Sequence, residues 1–201
     1  MSRISWGKPR IFVKDKDDSS AKWKELITPA EGTTQLTVQK GDKIEAKIEG
    51  GENEDVKYKR STYQNLFNIR KGKMPDGTLR AKPFPSIDGR VDHHYSLLIQ
   101  PEDPTCEGIY VEDNTVTVDD TFNTNDGGMW EVQMDALKAS VGDTVKWGVV
   151  TLSTSGTGSS ATNTIAFAEG SSFDSGGSEG SSAFALPASE VILAGSTVTN
   201  G

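Results

Sequence analysis

The chain has 201 residues, 34% of them hydrophobic and 25% charged, with a formal net charge of −8 and an isoelectric point near 4.8. That length suits one ordinary domain plus an appendage, and the low apolar content leaves part of the chain outside a core. The negative balance repels phosphate, which excludes a tight, sequence-reading nucleic-acid binder but not a surface past which nucleic acid slides. A single cysteine, Cys106, excludes an internal disulfide and a cysteine-based metal site. The N-terminal stretch lacks the apolar centre of a signal peptide, and no apolar run approaches the roughly 20 residues needed to cross a bilayer. The expectation is a chain with no membrane anchor, made and kept in the cytosol unless it leaves within an assembly.

Read in chain order, the periodicity is that of strands. Leu36 and Val38, then Ile44, Ala46 and Ile48, alternate on either side of Lys40-Gly41-Asp42, which predicts a hairpin turning at the Gly-Asp pair. Residues 50–55 form a glycine-acidic loop. Tyr63, Asn65, Phe67 and Ile69 mark another strand, with Leu66 out of phase. Residues 71–91 read as a long basic loop broken by Pro75, Pro83 and Pro85, and a loop of that length is usually functional or disordered. Residues 95–100 carry a near-continuous apolar run, 115–122 are rich in Thr and Val, 129–137 alternate through Trp130, Val132, Met134 and Ala136, and Val145, Trp147 and Val149 alternate in a last strand. Short helices are expected at 20–26, ended by the Thr28-Pro29 step, and at 135–140. The fold expected is mainly β, a two-sheet sandwich or rolled barrel with one or two short helices.

The composition changes after Leu152, beyond which there is no Lys or Arg. This gives a β domain over 1–152, a Ser/Gly-rich linker over 153–182 that is dispensable for folding, and a short segment over 183–201. That last segment regains apolar residues and reads as a docking strand, the start of a small decoration domain, or a disordered end.

No constellation of residues carries catalysis. His93-His94 with Asp92 suggests a metal site, but neighbours on a strand point to opposite faces and spacing offers no third ligand. Asp119-Asp120 with Asn123, Asn125 and Asp126 lacks the spacing and closing Glu of a calcium loop, and a turn explains it. Cys106 lies in a Pro-Gly turn beside Glu107, which disfavours a thiolate. Trp130 and Trp147 share alternating apolar faces and read as core, whereas Trp6 and Trp23 fall outside the strand pattern and read as subunit contacts or lids on the core. The expectation is a non-enzyme with no cofactor and no metal.

Four stretches carry a resemblance: Ile4-Ser5-Trp6-Gly7-Lys8-Pro9, Gly41-Asp42-Lys43-Ile44-Glu45-Ala46-Lys47-Ile48-Glu49-Gly50-Gly51-Glu52, Leu98-Ile99-Gln100-Pro101-Glu102-Asp103-Pro104 and Asp126-Gly127-Gly128-Met129-Trp130. Over roughly residues 1–152 the chain resembles the major tail tube proteins of phages and prophages of the Bacteroides type. The resemblance implies a β-sandwich subunit that closes into hexameric rings, which stack into a tube conducting DNA. It further implies self-association, contacts with other tail proteins, passage of DNA without specific binding, and residence in the virion tail after assembly in the host cytoplasm. The residues expected at inter-subunit contacts are Trp6, Trp23, Glu52, Glu54, Asp55, Lys71, Lys73, Arg80, Phe84 and Ile87. Loop 71–91 is expected to order against the acidic 50–55 region of an adjacent subunit or ring. A rival class is an extracellular β-sandwich binding module, for carbohydrate or adhesion, on a flexible linker.

Overall fold

A computed structural model describes residues 7–47, 49, 51, 53–157, 161–170 and 184–194, with backbone alone at 53 and 54. Twelve strands follow in order: β1 (Arg10–Asp15), β2 (Trp23–Glu25), β3 (Gln35–Gln39), β4 (Lys43–Lys47), β5 (Asn53–Tyr58), β6 (Thr62–Arg70), β7 (Tyr95–Gln100), β8 (Gly108–Asn123), β9 (Gly127–Ala136), β10 (Val145–Ser155), β11 (Thr162–Glu169) and β12 (Ala185–Ile192). The protein is mainly β, and the described residues contain no helix.

The large sheet runs β10-β11-β12-β2-β1-β7-β8-β9-β6-β3, and β10 also pairs with the start of β8. That extra pairing closes seven strands (β8, β10, β11, β12, β2, β1 and β7) into a barrel. A ring in which every junction is antiparallel reverses direction at each step, so seven strands cannot close that way. The parallel junction between β12 and β2, with Val191 opposite Trp23, is what lets the ring close. Phe12, Trp23, Leu98, Tyr110, Val150, Ile165, Phe167 and Val191 fill the barrel interior. Burial pushes the Tyr110 phenol up to about 12.

The remaining strands fold over the outside of the barrel wall. The second half of β8 continues into an antiparallel sheet β8-β9-β6-β3, and a second core lies beneath it. This core joins Ile11, Val13, Leu97 and Val111 of the barrel wall to Phe67, Ile69, Val116, Val118, Trp130, Val132 and Met134. Strands β1 and β7 therefore have apolar partners on both faces, which explains the unbroken runs Ile11-Phe12-Val13 and Leu97-Leu98-Ile99. Between Val111 and Val116 the buried parity of β8 slips by one residue, and the β7 register shifts at the same place. Such a bulge turns the strand out of one sheet and into the other.

Several expectations need correction. The stretch 20–26 is not helical: Asp18 Oδ1 accepts from the Ser20 amide and hydroxyl, and the turn feeds β2. Trp23 and Leu26 stand at helical spacing because one fills the barrel and the other the second core. Residues 135–140 end β9 and then follow an irregular path pinned by the Leu137 amide on the Asp113 carbonyl. The Gly-Asp pair at 41–42 is not a hairpin turn. Strands β3 and β4 do not pair with each other; they run on, respectively, against β6 and β5 in one continuous register. Gly41 marks the bend between them, where a Cβ would collide with the Lys59 carbonyl oxygen.

The boundary at Leu152 also moves. Strand β10 continues to Ser155, and β11 lies inside the stretch read as a linker. Ile165 and Phe167, each 1% exposed, are barrel core. A strand needs only alternate apolar residues, so the surrounding Ser, Gly and Thr hid it. Of the alternatives for 183–201, the described part is a strand, β12, that completes the barrel. Residues 158–160 and 171–182 of the expected linker, and residues 183 and 195–201 of the last segment, lie outside the described residues.

Candidate assembly interface

The four-stranded sheet β3-β6-β9-β8 has two free edges. Strand β3 pairs only with β6; on β8, Thr117 bridges Arg90 and the Val118 amide donates to the Gly89 carbonyl, so among the described strands the stretch 119–123 pairs only with β9. Because all three junctions are antiparallel, the edge strands β3 and the end of β8 run in opposite directions. The sheet face turned away from the core is polar. Across it lie rows such as Thr117, Gln133, Leu66 and Gln35, or Thr115, Asp135, Gln64 and Thr37. Gln64 Nε2 donates to Asp135 Oδ1 at 2.7 Å and Gln133 Nε2 to Asp135 Oδ2 at 3.0 Å, so the amides hold the carboxylate flat on the sheet. Leu66, out of phase in the sequence, belongs to this face.

Beyond the bend at Gly41, strands β4 and β5 form a separate two-stranded sheet. Lys59 ties its base, donating its amide to the Asp42 carbonyl and Nζ to Asp42 Oδ2, both at 2.9 Å. Every residue of β4 is exposed, and so are Val56 and Tyr58 of β5. An isolated two-stranded ribbon is marginally stable in water, so this arm is a surface awaiting cover.

Loop 71–91 is folded onto its own chain. Phe84 is 1% exposed, packed edge-to-face on Tyr95 at 4.8 Å between ring centroids. Lys71 and Lys82 both reach Asp120 on β8, Lys82 at 3.2 Å, and Lys71 Nζ lies 5.5 Å above the Trp130 ring. The two lysines hold the Asp120 carboxyl below the usual carboxylate range. The Val118 amide donates to the Gly89 carbonyl at 2.8 Å, where the loop borders β8.

The expected contact residues therefore divide. Phe84 and Trp23 are core residues of their own chain and are corrected as contact candidates; Trp23 is 4% exposed. Asp55, Lys71, Lys73 and Ile87 are exposed, Ile87 to 76%, and Arg80 is half-buried. Trp6, Glu52 and the Glu54 side chain lie outside the described residues. Trp147, expected in the core, is 48% exposed beside Ile109, Pro29 and Pro101 in a groove of about 710 Å³. It points outward from the barrel where the covering sheet has ended. Sequence reasoning missed Val38 and Phe122, exposed at 49% and 76% on the two free edges. Val38 continues the alternation of Leu36, and Phe122 shares the parity of Val116 and Val118 past Asp120; only the strand order shows that the second core does not reach them.

Both histidines sit at the corner where β8 leaves the barrel. His93 Nδ1 lies 2.6 Å from Asp15 Oδ2, and His94 Nδ1 lies 3.2 Å from Asp113 Oδ1. The fold thus supplies the acidic neighbours that spacing did not: Asp15, Asp17 and His93 bring potential ligand atoms within 4.8 Å of one another. The Asp15 carboxylate accounts for the ring nitrogen and raises the His93 pKa above its ordinary value. Glu112, in the bulge, is pushed up by burial, but the Ser140 hydroxyl and amide, with Lys16 and Lys146, outweigh that and lower it. The cluster fits a polar clamp on the corner.

No protein-family profile matches the chain, and no curated protein matches it.

Proposed function

We propose that the chain is a structural subunit that assembles edge to edge into rings, stacked as a tube, in the manner of the phage tail tube proteins its sequence resembles. One observation carries the reading: a four-stranded antiparallel sheet whose two free edges run in opposite directions. Because Gln35 lies level with Thr117 in the sheet register, the axis must be tilted to the strands, as in any closed barrel; rotation about such an axis places the 119–123 end of β8 of one copy antiparallel to the β3 edge of the next. The sheet then continues from copy to copy until it closes, which removes every edge. A sheet with an odd number of strands would not repeat in this way.

The polar face of that sheet suits the inside of the ring. It carries Asp119, Glu131 and Asp135 against Arg70 among Gln, Asn and Thr side chains. A wall of this composition passes a phosphate backbone without gripping it, since binding to DNA depends on Lys and Arg contacts. The reading is structural and needs no catalytic group or cofactor. Hexameric closure, the virion tail and other tail proteins as partners belong to it through the resemblance.

Negative-stain microscopy of concentrated protein tests this. Rings or tubes with an open lumen are expected, and a chain that stays monomeric at every concentration and salt would sink the reading. The Trp147 groove favours a second reading, a binding module that stacks a sugar ring or a proline-rich peptide on that indole. Retardation in a glycan-containing gel, lost in Trp147→Ala, would support it.

A further inference from the structure

We infer that the chain binds a small amphipathic carboxylate, an apolar body carrying one anionic head, in a cavity of about 290 Å³ between the barrel and loop 71–91. The site lies within one chain and stands apart from the ring reading above. One wall comes from the barrel: Leu26, just past β2, and Ile192 with the two residues after it at the end of β12. The other wall is a small hairpin at the start of the loop. There Lys73 bridges Leu79, the Met74 amide donates to the Thr78 carbonyl at 2.8 Å, and the Arg80 amide donates to the Gly72 carbonyl at 2.9 Å. Asp76 Oδ1 accepts from the Thr78 amide and hydroxyl across the tip. The hairpin is thus held by its own bonds, and the gap between it and the barrel stays open.

The inside of the cavity is apolar. Leu26 and Ile69, both buried, form its floor with Met74 beside them, and Leu79 stands exposed at its mouth. The volume lies near the lower end of the roughly 300–1,000 Å³ of small-molecule sites, which suits a short alkyl or single-ring body. Filling the floor and covering Leu79 removes apolar surface from water on both partners.

The rim is cationic, in a chain whose net charge is −8. Lys24, Glu25, Arg80 and Lys82 border it. Glu25 is already engaged: Oε1 lies 2.6 Å from Arg10 Nε, and Oε2 accepts from the Ala194 amide at 3.0 Å. Lys82 is engaged by Asp120. Among the described residues, Lys24 and Arg80 have no carboxylate within ion-pair distance. Arg80 donates through Nη1 to the Arg70 carbonyl at 3.1 Å, while its Nε is buried and has no acceptor. A buried donor left unanswered on a guanidinium is costly, and an incoming carboxylate accepts from it. A neutral head leaves that donor unanswered, and a cationic head meets Lys24 and Arg80 as like charges. The apolar floor selects the body of the ligand and the two free cations select its head.

Calorimetric titration of the full chain with octanoate, below its micelle concentration, tests this. Saturable one-to-one binding is expected, about fourfold weaker for each methylene removed from the alkyl chain. 1-Octanol should bind at least about tenfold more weakly, and octylammonium not at all. Arg80→Gln should weaken octanoate by about tenfold or more and leave 1-octanol unchanged. Lys24→Gln, at an exposed position, repeats the test with a smaller loss if the first variant melts early. No saturable octanoate binding, equal binding of all three heads, or indifference to both variants overturns the proposal. Methyl NMR of Leu26, Ile69 and Leu79 identifies any other occupant. Shifts on concentrating the protein alone assign the cavity to a second copy, and octanoate binding that requires removal of residues 195–201 assigns it to that segment; either result overturns the proposal. Rings formed by a chain indifferent to octanoate leave the ring reading intact, and octanoate binding by a chain that stays monomeric does the opposite.

Discussion

The β8–β9 hairpin and the β3–β4/β5–β6 hairpin are both long antiparallel ribbons, yet they end differently. The first keeps Val116, Val118, Trp130, Val132 and Met134 on one face, and that face lies on the second core. The second starts the same way, with Phe67 and Ile69 buried in β6, and then bends at Gly41 and leaves the core. Past the bend its described apolar residues fall on both faces and none of them is buried. A single alternating face predicts where a ribbon packs within its own chain. Apolar residues on both faces of an uncovered ribbon predict that the cover comes from elsewhere.

The largest expected effect tests the buried side of that contrast. Ending the chain after Ser155 removes β11 and β12, and with them Ile165, Phe167 and Val191 from the barrel. At about 1.5–3 kcal/mol per fully buried side chain, the loss reaches or exceeds much of a typical domain's stability. Circular dichroism should show an unfolded or molten chain. A cooperative melt at the full-length temperature would show that the barrel does not need its last two strands.

Phe84→Ala comes next, with an expected loss of about 3–5 kcal/mol in urea unfolding, because the ring is sealed against Tyr95. Ile87→Ala, three residues on and 76% exposed, should change stability by less than about 0.5 kcal/mol. Similar values for the two would contradict the placement of the loop. Gly41→Val is expected to act more locally. It should disturb the Asp42–Lys59 tie and free the arm while leaving most of the melt in place, which amide exchange in β4 and β5 would reveal against an unchanged β7.

The smallest effect is electrostatic. The folded His93 pKa is raised, so its pairing with Asp15 stabilises the fold fully below the ordinary histidine value of about 6.5 and fades as pH rises through the folded value. An NMR titration should place His93 above His model peptides, and Asp15→Asn should bring it back toward them. An unshifted His93 in the native chain would remove the corner clamp.

Much of the fold was legible in the residues. Tyr63 to Ile69, the 95–100 run and the 129–137 alternation all appear as strands, because each matches the period of a buried face. The Gly-Asp pair misled because glycine also serves where another backbone passes close, as the Lys59 carbonyl does at Gly41, and only the pairing of β4 with β5 separates that case from a turn. Strand β11 was hidden because Ile165 and Phe167 are two large residues among Thr, Asn and Ala, so composition outweighed period. Trp147 misled in the other direction: its alternation with Val145 and Val149 is real, but the sheet that would cover it stops short. Asp55, Lys73 and Arg80 stand out in the sequence as charge, whereas the free sheet edges do not, since strand order depends on partners distant in sequence.

Hydrogen exchange at the sheet edges tests the central claim most directly. In dilute, monomeric protein the outward-facing amides of β3, β4 and the 119–123 end of β8 should exchange quickly while those of β1 and β7 stay protected. In concentrated, assembled protein the same edge amides should become protected together. Edge amides that are already protected in the monomer, or that stay fast in the assembly, would contradict edge-to-edge closure.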